Sequence, residues 1–168
     1  MTFLDLVELM FIQGLRDAGH SFPRIHEAHR VLSRLLETEH PFALKRAFSD
    51  PAGIYALLER EDQGDLLIEL KGAGQLAMWP TLHRYLKQLE FDIDDLAQRW
   101  YPAGPATPIV VDPRVSFGAP VVAGTRIETA AIAELYHGED SVEEIAWLFD
   151  LEPAQVNAAI EFERTLAA

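Results

Sequence analysis

The sequence predicts an α+β protein: N-terminal helices with a small antiparallel sheet, then a C-terminal three-helix helix-turn-helix domain led by a short β-strand. Three observations predict it. Apolar residues recur at helical spacing through residues 4–36. Short apolar runs separated by polar turns fill the middle of the chain. After a proline-rich stretch, an apolar triplet precedes three segments with helix-start signals.

The first helix opens on Thr2 and Asp5, which have capping-box spacing with Asp in place of Glu or Gln. Leu4, Val7, Phe11 and Leu15 follow at helical intervals, and Gly19 is expected to stop the helix. Phe3, Leu6, Leu9, Met10 and Ile12 spread around the same helix, more apolar surface than one core face needs, so a homodimer is expected. Ser21 is placed to cap a second helix with Pro23 in its first turn. Its apolar face is Ile25, Ala28, His29, Leu32, Leu35 and Leu36, with Arg24, Glu27, Arg30 and Arg34 opposite.

Beyond Pro41, the runs 54–59 and 66–70 flank a polar turn and read as a hairpin. A short helix is expected from Pro80 to Gln88, then strands at Glu90–Ile93 and Gln98–Tyr101. The stretch 102–108 holds three prolines and a glycine, which block helix and strand alike. It is taken as a linker between domains at 1–101 and 109–168.

The second domain starts with the strand Ile109-Val110-Val111, followed by a loop with Pro113, Gly118, Pro120 and Gly124 in which Val121-Val122 forms a second short strand. Three helices fit the remainder. The first runs from Glu128 to His137 and ends at Gly138. The second has Ser141 and Glu144 as a capping box, with Val142, Ile145, Ala146 and Phe149 inward. The third starts at Pro153 and buries Val156, Ala159 and Ile160. The short turn 150–152 between the last two gives helix-turn-helix geometry.

Composition narrows the function. The chain has no cysteine, which excludes disulfide scaffolds, thiolate metal sites and cysteine nucleophiles and fits a cytoplasmic protein. No apolar run reaches the ~18 residues of a bilayer span, so no membrane partner is expected. The net charge is −13, from 27 acidic and 14 basic residues. Residues 109–168 hold 3 basic and 11 acidic residues, net −8. Such a surface repels phosphate and favours a basic protein partner.

No catalytic constellation stands out. The run Gly72-Ala73-Gly74-Gln75-Leu76-Ala77, with Asp92 further on, matches a dinucleotide fingerprint in spacing. It lacks the parallel βαβ unit and the helix starting at its glycines that such a site requires. His26 and His29 stand three apart on one helix without a third ligand; His29 is expected half-buried and His26 outward. No serine sits in a nucleophile elbow and no carboxylates cluster for acid–base work. The chain is read as non-enzymatic, without cofactor or metal.

The motifs Asp112-Pro113-Arg114, Gly118, Pro120-Val121-Val122, Ala123-Gly124-Thr125-Arg126-Ile127 and Ser141-Val142-Glu143-Glu144-Ile145-Ala146 carry a resemblance. Over residues 109–162 the chain resembles the antitoxin domain of VapB-type proteins, which partner PIN-like ribonuclease toxins. The family more often has a second glycine or a lysine where this chain has Phe117-Gly118-Ala119. Residues 4–36, with Ala18-Gly19-His20-Ser21-Phe22-Pro23-Arg24-Ile25, resemble the third and fourth helices of a MerR-like domain. In proteins joining both modules, a DNA-reading helix-turn-helix and wing precede the position of Leu4. This chain begins at Met1 without them, so it is either N-terminally shortened or a member lacking its reading head.

The resemblance implies the antitoxin of a type II toxin–antitoxin system, binding and neutralising a PIN-like ribonuclease and regulating its own operon. The alternative is a DNA-binding transcriptional repressor without a toxin partner. In the motif loop, Asp112, Pro113, Arg114, Gly118, Pro120, Gly124, Thr125 and Arg126 are the family residues. Thr125 and Arg126 are candidates to touch a partner, although Arg126 is expected to pair locally with Asp112 or Glu128 and fix the loop. Operator contacts, weakened by the charge and the missing head, would fall to Arg16, Arg24, Arg30 and Arg34, with Gln155 and Asn157 able to read adenine edges.

Overall fold

The computed structural model describes residues 2–17, 19–45 and 85–167. The expected hairpin at 54–59 and 66–70, the glycine run at 72–77 and the helix start at Pro80 lie outside the described residues. The chain divides into two compact units, Met1–Ala97 and Gln98–Ala168. The division falls within a strand, and the proline-rich stretch 102–108 lies inside the second unit.

In the first unit, helix α1 spans Phe3–Asp17 and α2 spans Phe22–Leu35. The capping box of α1 forms as expected: the Thr2 N–H donates to Asp5 at 2.6 Å, and the Asp5 N–H donates to Thr2 Oγ1 at 3.2 Å. Gly19 ends the helix with a φ of +91°, a conformation that favours a residue without Cβ. Ser21 occupies the N-cap of α2, but its side chain caps no N–H. Pro23, in the first turn, supplies the pre-set φ instead.

The core of this unit is Val7, Phe11 and Leu15 from α1, Ile25, Val31, Leu32 and Leu36 from α2 and its end, and Phe42 and Ala43 from a 3-10 turn at Pro41–Ala43. The Tyr85 ring packs on Phe11, with centroids 6.1 Å apart. Gly14 makes room for it, since a Cβ there would stand 2.4 Å from the ring. Of the surplus apolar residues on α1, Leu9 is exposed, whereas Phe3, Leu6, Met10 and Ile12 are half-buried.

Four short strands form one sheet in the order β1-β2-β3-β4: Leu89–Phe91, Ala97–Trp100, Ile109–Val111 and Pro120–Val122. β2 runs antiparallel to β3, with Trp100 opposite Val111. β3 runs antiparallel to β4, with Val110 opposite Val121. The turn from β1 to β2 is tied by Asp92, whose Oδ1 accepts the Asp94 and Leu96 N–H groups, both at 2.9 Å. The carboxylate at the spacing of a ribose-binding acid is thus a turn cap.

In the second unit, α3 spans Thr129–His137, α4 Val142–Phe149 and α5 Pro153–Leu166. They form the expected C-terminal trio after β3. Ser141 and Glu144 make the reciprocal capping box at the start of α4. Asp150 turns the chain in a left-handed conformation, φ 54° and ψ 48°, so that α5 starts three residues later. The shared core is Ile109 and Val122 from the sheet with Ile132, Ile145, Ala146, Val156, Ala159, Ile160 and Phe162 from the helices. Thr129 is fully buried, and its hydroxyl donates to the Glu163 carboxylate with the Pro120 carbonyl 3.4 Å away. That bond ties the start of α3 to α5.

Candidate functional site: the motif loop and the helix-turn-helix surface

Asp112 is the anchor of the motif loop. It follows β3 directly, and only 3% of its side chain is exposed. Arg114 closes on it in a fork, Nε to Oδ1 at 3.0 Å and Nη2 to Oδ2 at 2.8 Å, while the Arg114 N–H donates to Oδ1 at 2.9 Å. Arg99 adds a fourth bond, Nε to Oδ2 at 2.8 Å. The Arg114 hydrogen bond, with help from Arg99, holds the Asp112 carboxyl far below the usual carboxylate range and outweighs the opposing effect of burial.

The sequence marks Arg114 only as a motif residue and gives no sign of Arg99. Strand register explains the partner. With Trp100 opposite Val111 in an antiparallel pair, Arg99 falls opposite Asp112. Arg126 is not Asp112's partner, contrary to expectation, because Arg99 and Arg114 occupy both carboxylate oxygens. Its guanidinium is exposed and has no ion-pair partner among the described residues.

The remaining motif residues shape the backbone. Thr125 Oγ1 donates to the Val122 carbonyl at 2.8 Å and accepts the Ile127 N–H at 3.1 Å, closing the turn between β4 and α3. Gly124 sits in that turn with φ +83° and Gly118 in the preceding loop with φ +84°. Pro113 is exposed beside Asp112, and Pro120 opens β4, where its missing N–H suits the first position of a strand. Ser116 and Phe117 are also left-handed, φ 45° and 56°, and the Phe117 ring is fully exposed. Two non-glycine residues in that region cost about 1–3 kcal/mol each.

The helix that would enter a DNA groove has its polar groups engaged at home. The Gln155 carbonyl oxygen accepts the Glu152 N–H at 2.9 Å in a capping box, and the Asn157 amide donates to the Pro153 carbonyl at 3.0 Å. Arg164, the one basic residue on α5, pairs with Glu161 and lies over the Tyr136 ring. A groove of about 700 Å³ between α3 and α5 is lined by Ala130, Ala133, Ile160 and Ala167 together with Glu134, His137, Glu163 and Arg164. Its lining carries both signs of charge.

The candidate arginines of α1 and α2, Arg16, Arg24, Arg30 and Arg34, are all exposed. Arg16 donates to the His20 carbonyl at 2.7 Å and lies 4.5 Å from the centroid of the Phe22 ring. Arg30 pairs with Glu27 at 2.6 Å. Arg24 and Arg34 share their helix.

The first unit also buries a carboxylate that periodicity did not flag. Glu8, 8% exposed, accepts from His29 Nε2 at 3.1 Å and from the Phe42 N–H at 3.1 Å, with His40 Nδ1 at 3.3 Å. His29 is half-buried and His26 faces outward, as expected. Among the described residues, no group of three or more histidines and acids is disposed to hold a metal ion. No helix among them is long and apolar enough to cross a membrane.

Comparison with known proteins adds the following. Residues 109–162 match the model of a family described as Protein of unknown function (DUF433). That match spans β3 to α5 and includes the whole motif loop. No curated protein matches the chain. Among solved structures, Rv2018 from Mycobacterium tuberculosis, known from an X-ray crystal structure, is similar with a TM-score of 0.72 and 24% sequence identity. The alignment covers 94% of this chain and 77% of that one. At that identity the likeness speaks for the fold alone.

Proposed function

We propose that this protein is a non-catalytic antitoxin, which binds and neutralises a PIN-like ribonuclease. The observation that carries this reading is the surface of α5. A helix that reads DNA needs free donors for base edges and cations for phosphates. Here the Gln155 carbonyl oxygen and the Asn157 amide nitrogen, each one half of a bidentate adenine reader, bond to their own helix start, and Arg164 is paired with Glu161. Ten acids and no lysine or arginine lie between Arg126 and Arg164. So acidic a segment, spread over α3 to α5, suits a cationic protein, and a nuclease that handles RNA presents a cationic surface.

The same observation weighs against the alternative of a repressor without a toxin. Regulation of its own operon would draw on Arg16, Arg24, Arg30 and Arg34 of α1 and α2 rather than on α5, and on dimerisation to bring two copies of these helices to one duplex.

The test is co-expression. The reading predicts a PIN-like nuclease gene beside this one; the protein is produced with that nuclease, and growth and RNA integrity are measured. Rescue of growth with a stable co-purifying complex is expected. Unrelieved toxicity with both proteins soluble overturns the reading.

A further inference from the structure

We propose that the exposed Trp147–Leu148 face of α4 is the surface on which this protein holds a basic protein partner, the tryptophan seated in an apolar depression of the partner and the surrounding acids meeting its lysines and arginines. The proposal deepens the antitoxin reading by naming its binding surface, and rests on that reading only for the identity of the natural partner.

Helix α4 divides sharply along its length. Ile145 and Ala146 are buried in the core of the second unit, whereas Trp147 is 85% and Leu148 57% exposed. Neither exposed residue helps that core, and a tryptophan left in water is the side chain that most often dominates an interface once covered. On a helix, residues three and four apart are neighbours. Glu143 and Glu144 therefore flank Trp147 on one side, and Asp150 flanks it on the other. The Ser141 hydrogen bonds keep the Glu144 carboxyl below its ordinary value, so its charge persists.

This ring of acids selects the occupant. A second copy docking through the same face would bring one acidic rim against another across a two-fold axis, the Glu143 of one copy toward the Asp150 of the other. A nucleic acid would bring phosphates to carboxylates. A cationic protein surface with an apolar centre satisfies both the tryptophan and its rim.

The experiment uses the full-length protein and a labelled synthetic helical peptide with a leucine stripe flanked by arginines. Versions with the arginines changed to glutamates, or the leucines to serines, serve as controls. Fluorescence anisotropy at low and high salt reads the affinity. The arginine–leucine peptide is expected to bind, less tightly at high salt, and both controls to bind poorly.

Trp147→Ala should weaken binding by about tenfold or more. The double change Glu143→Gln, Glu144→Gln keeps a capping acceptor and should weaken binding several-fold. Glu37→Gln with Glu39→Gln, which removes the same charge from an exposed site in the first unit, should leave binding unchanged. Circular dichroism should show all variants folded, since each change is on the surface.

Wild-type affinity in Trp147→Ala overturns the proposal, as does equal weakening by the two pairs of charge removals. So does sedimentation equilibrium showing that Trp147→Ala dissociates a dimer, which would make a second copy the occupant. Failure of nuclease rescue with Trp147-dependent peptide binding intact removes the antitoxin reading and leaves the surface. Rescue by Trp147→Ala as efficient as wild type removes the surface and leaves the antitoxin reading.

Discussion

Arg114 grips Asp112 in a fork, at 3.0 and 2.8 Å, across a single intervening proline. The loop after β3 is therefore built around a buried charge whose partners reach solvent. Asp112 is all but covered, while the side chains of Arg99 and Arg114 are 42% and 55% exposed. When the carboxylate is removed, the freed guanidiniums can hydrate, which limits the damage. Asp112→Asn is expected to cost about 1.5–3 kcal/mol in urea unfolding of the full chain, the range for hydrogen bonds to a charged group.

The same pair fixes a pH dependence. Asp112's folded pKa lies below its ordinary value of 3.8. The unfolded chain therefore takes up the proton first as pH falls, and the stabilisation is fully present only above that value. Stability should drop progressively as the pH is lowered below about 4. The slope should be shallower in Asp112→Asn, measured by urea midpoints at a series of acidic pH values. Identical slopes in the two proteins would show that the loop's ion pair does not contribute.

Glu8 makes a second, independent case. Its carboxylate is the acceptor for the Phe42 N–H and lies against His29 and His40. Glu8→Ala leaves a buried N–H without an acceptor and two imidazoles without their partner. The expected loss is about 1–3 kcal/mol, or roughly 2–10 °C in melting temperature for a chain of this size. Glu8→Gln keeps an acceptor for Phe42 and should lose less, by differential scanning calorimetry.

The capping box of α4 is testable by deletion of one partner. Ser141→Ala removes the acceptor for the Glu144 N–H and should cost about 0.5–2 kcal/mol. Ser141→Asp retains an acceptor and should restore most of it. Equal stability of wild type and Ser141→Ala in urea would mean that α4 starts without help from its cap.

How far the sequence speaks depends on the range of the signal. Local signals are faithful here except at Ser21, whose side chain caps nothing. The capping boxes at Thr2–Asp5 and Ser141–Glu144, the stop at Gly19, the prolines opening α2 and α5, and the strand at 109–111 all form where residue type alone places them. Each is decided within a few residues by backbone geometry. Partners set by strand register or tertiary packing were not legible. Arg99 reaches Asp112 only because β2 and β3 pair as they do. Nothing in the spacing of α1 singles out Glu8, which is buried by tertiary contacts with His29 of α2 and with His40 and Phe42 at the turn at Pro41. Arg126, expected to pair with Asp112 or Glu128, pairs with neither, and Arg99 and Arg114 hold Asp112 instead. Gln155 and Asn157 kept the residue types of base readers, but the start of α5 claimed their polar groups.

The last prediction separates fold from function within one helix. Ile145 and Trp147 are two residues apart on α4, one 1% and the other 85% exposed. Ile145→Ala opens a cavity among Ile132, Val156 and Ile160, and should cost about 2–5 kcal/mol. Trp147→Ala removes a ring that the core does not touch and should stay within about 0.5 kcal/mol of wild type. If both variants lose stability alike in urea, Trp147 packs within the chain and its face is not open to a partner. If only Ile145→Ala is destabilised, the tryptophan's large apolar area is retained for something other than the fold.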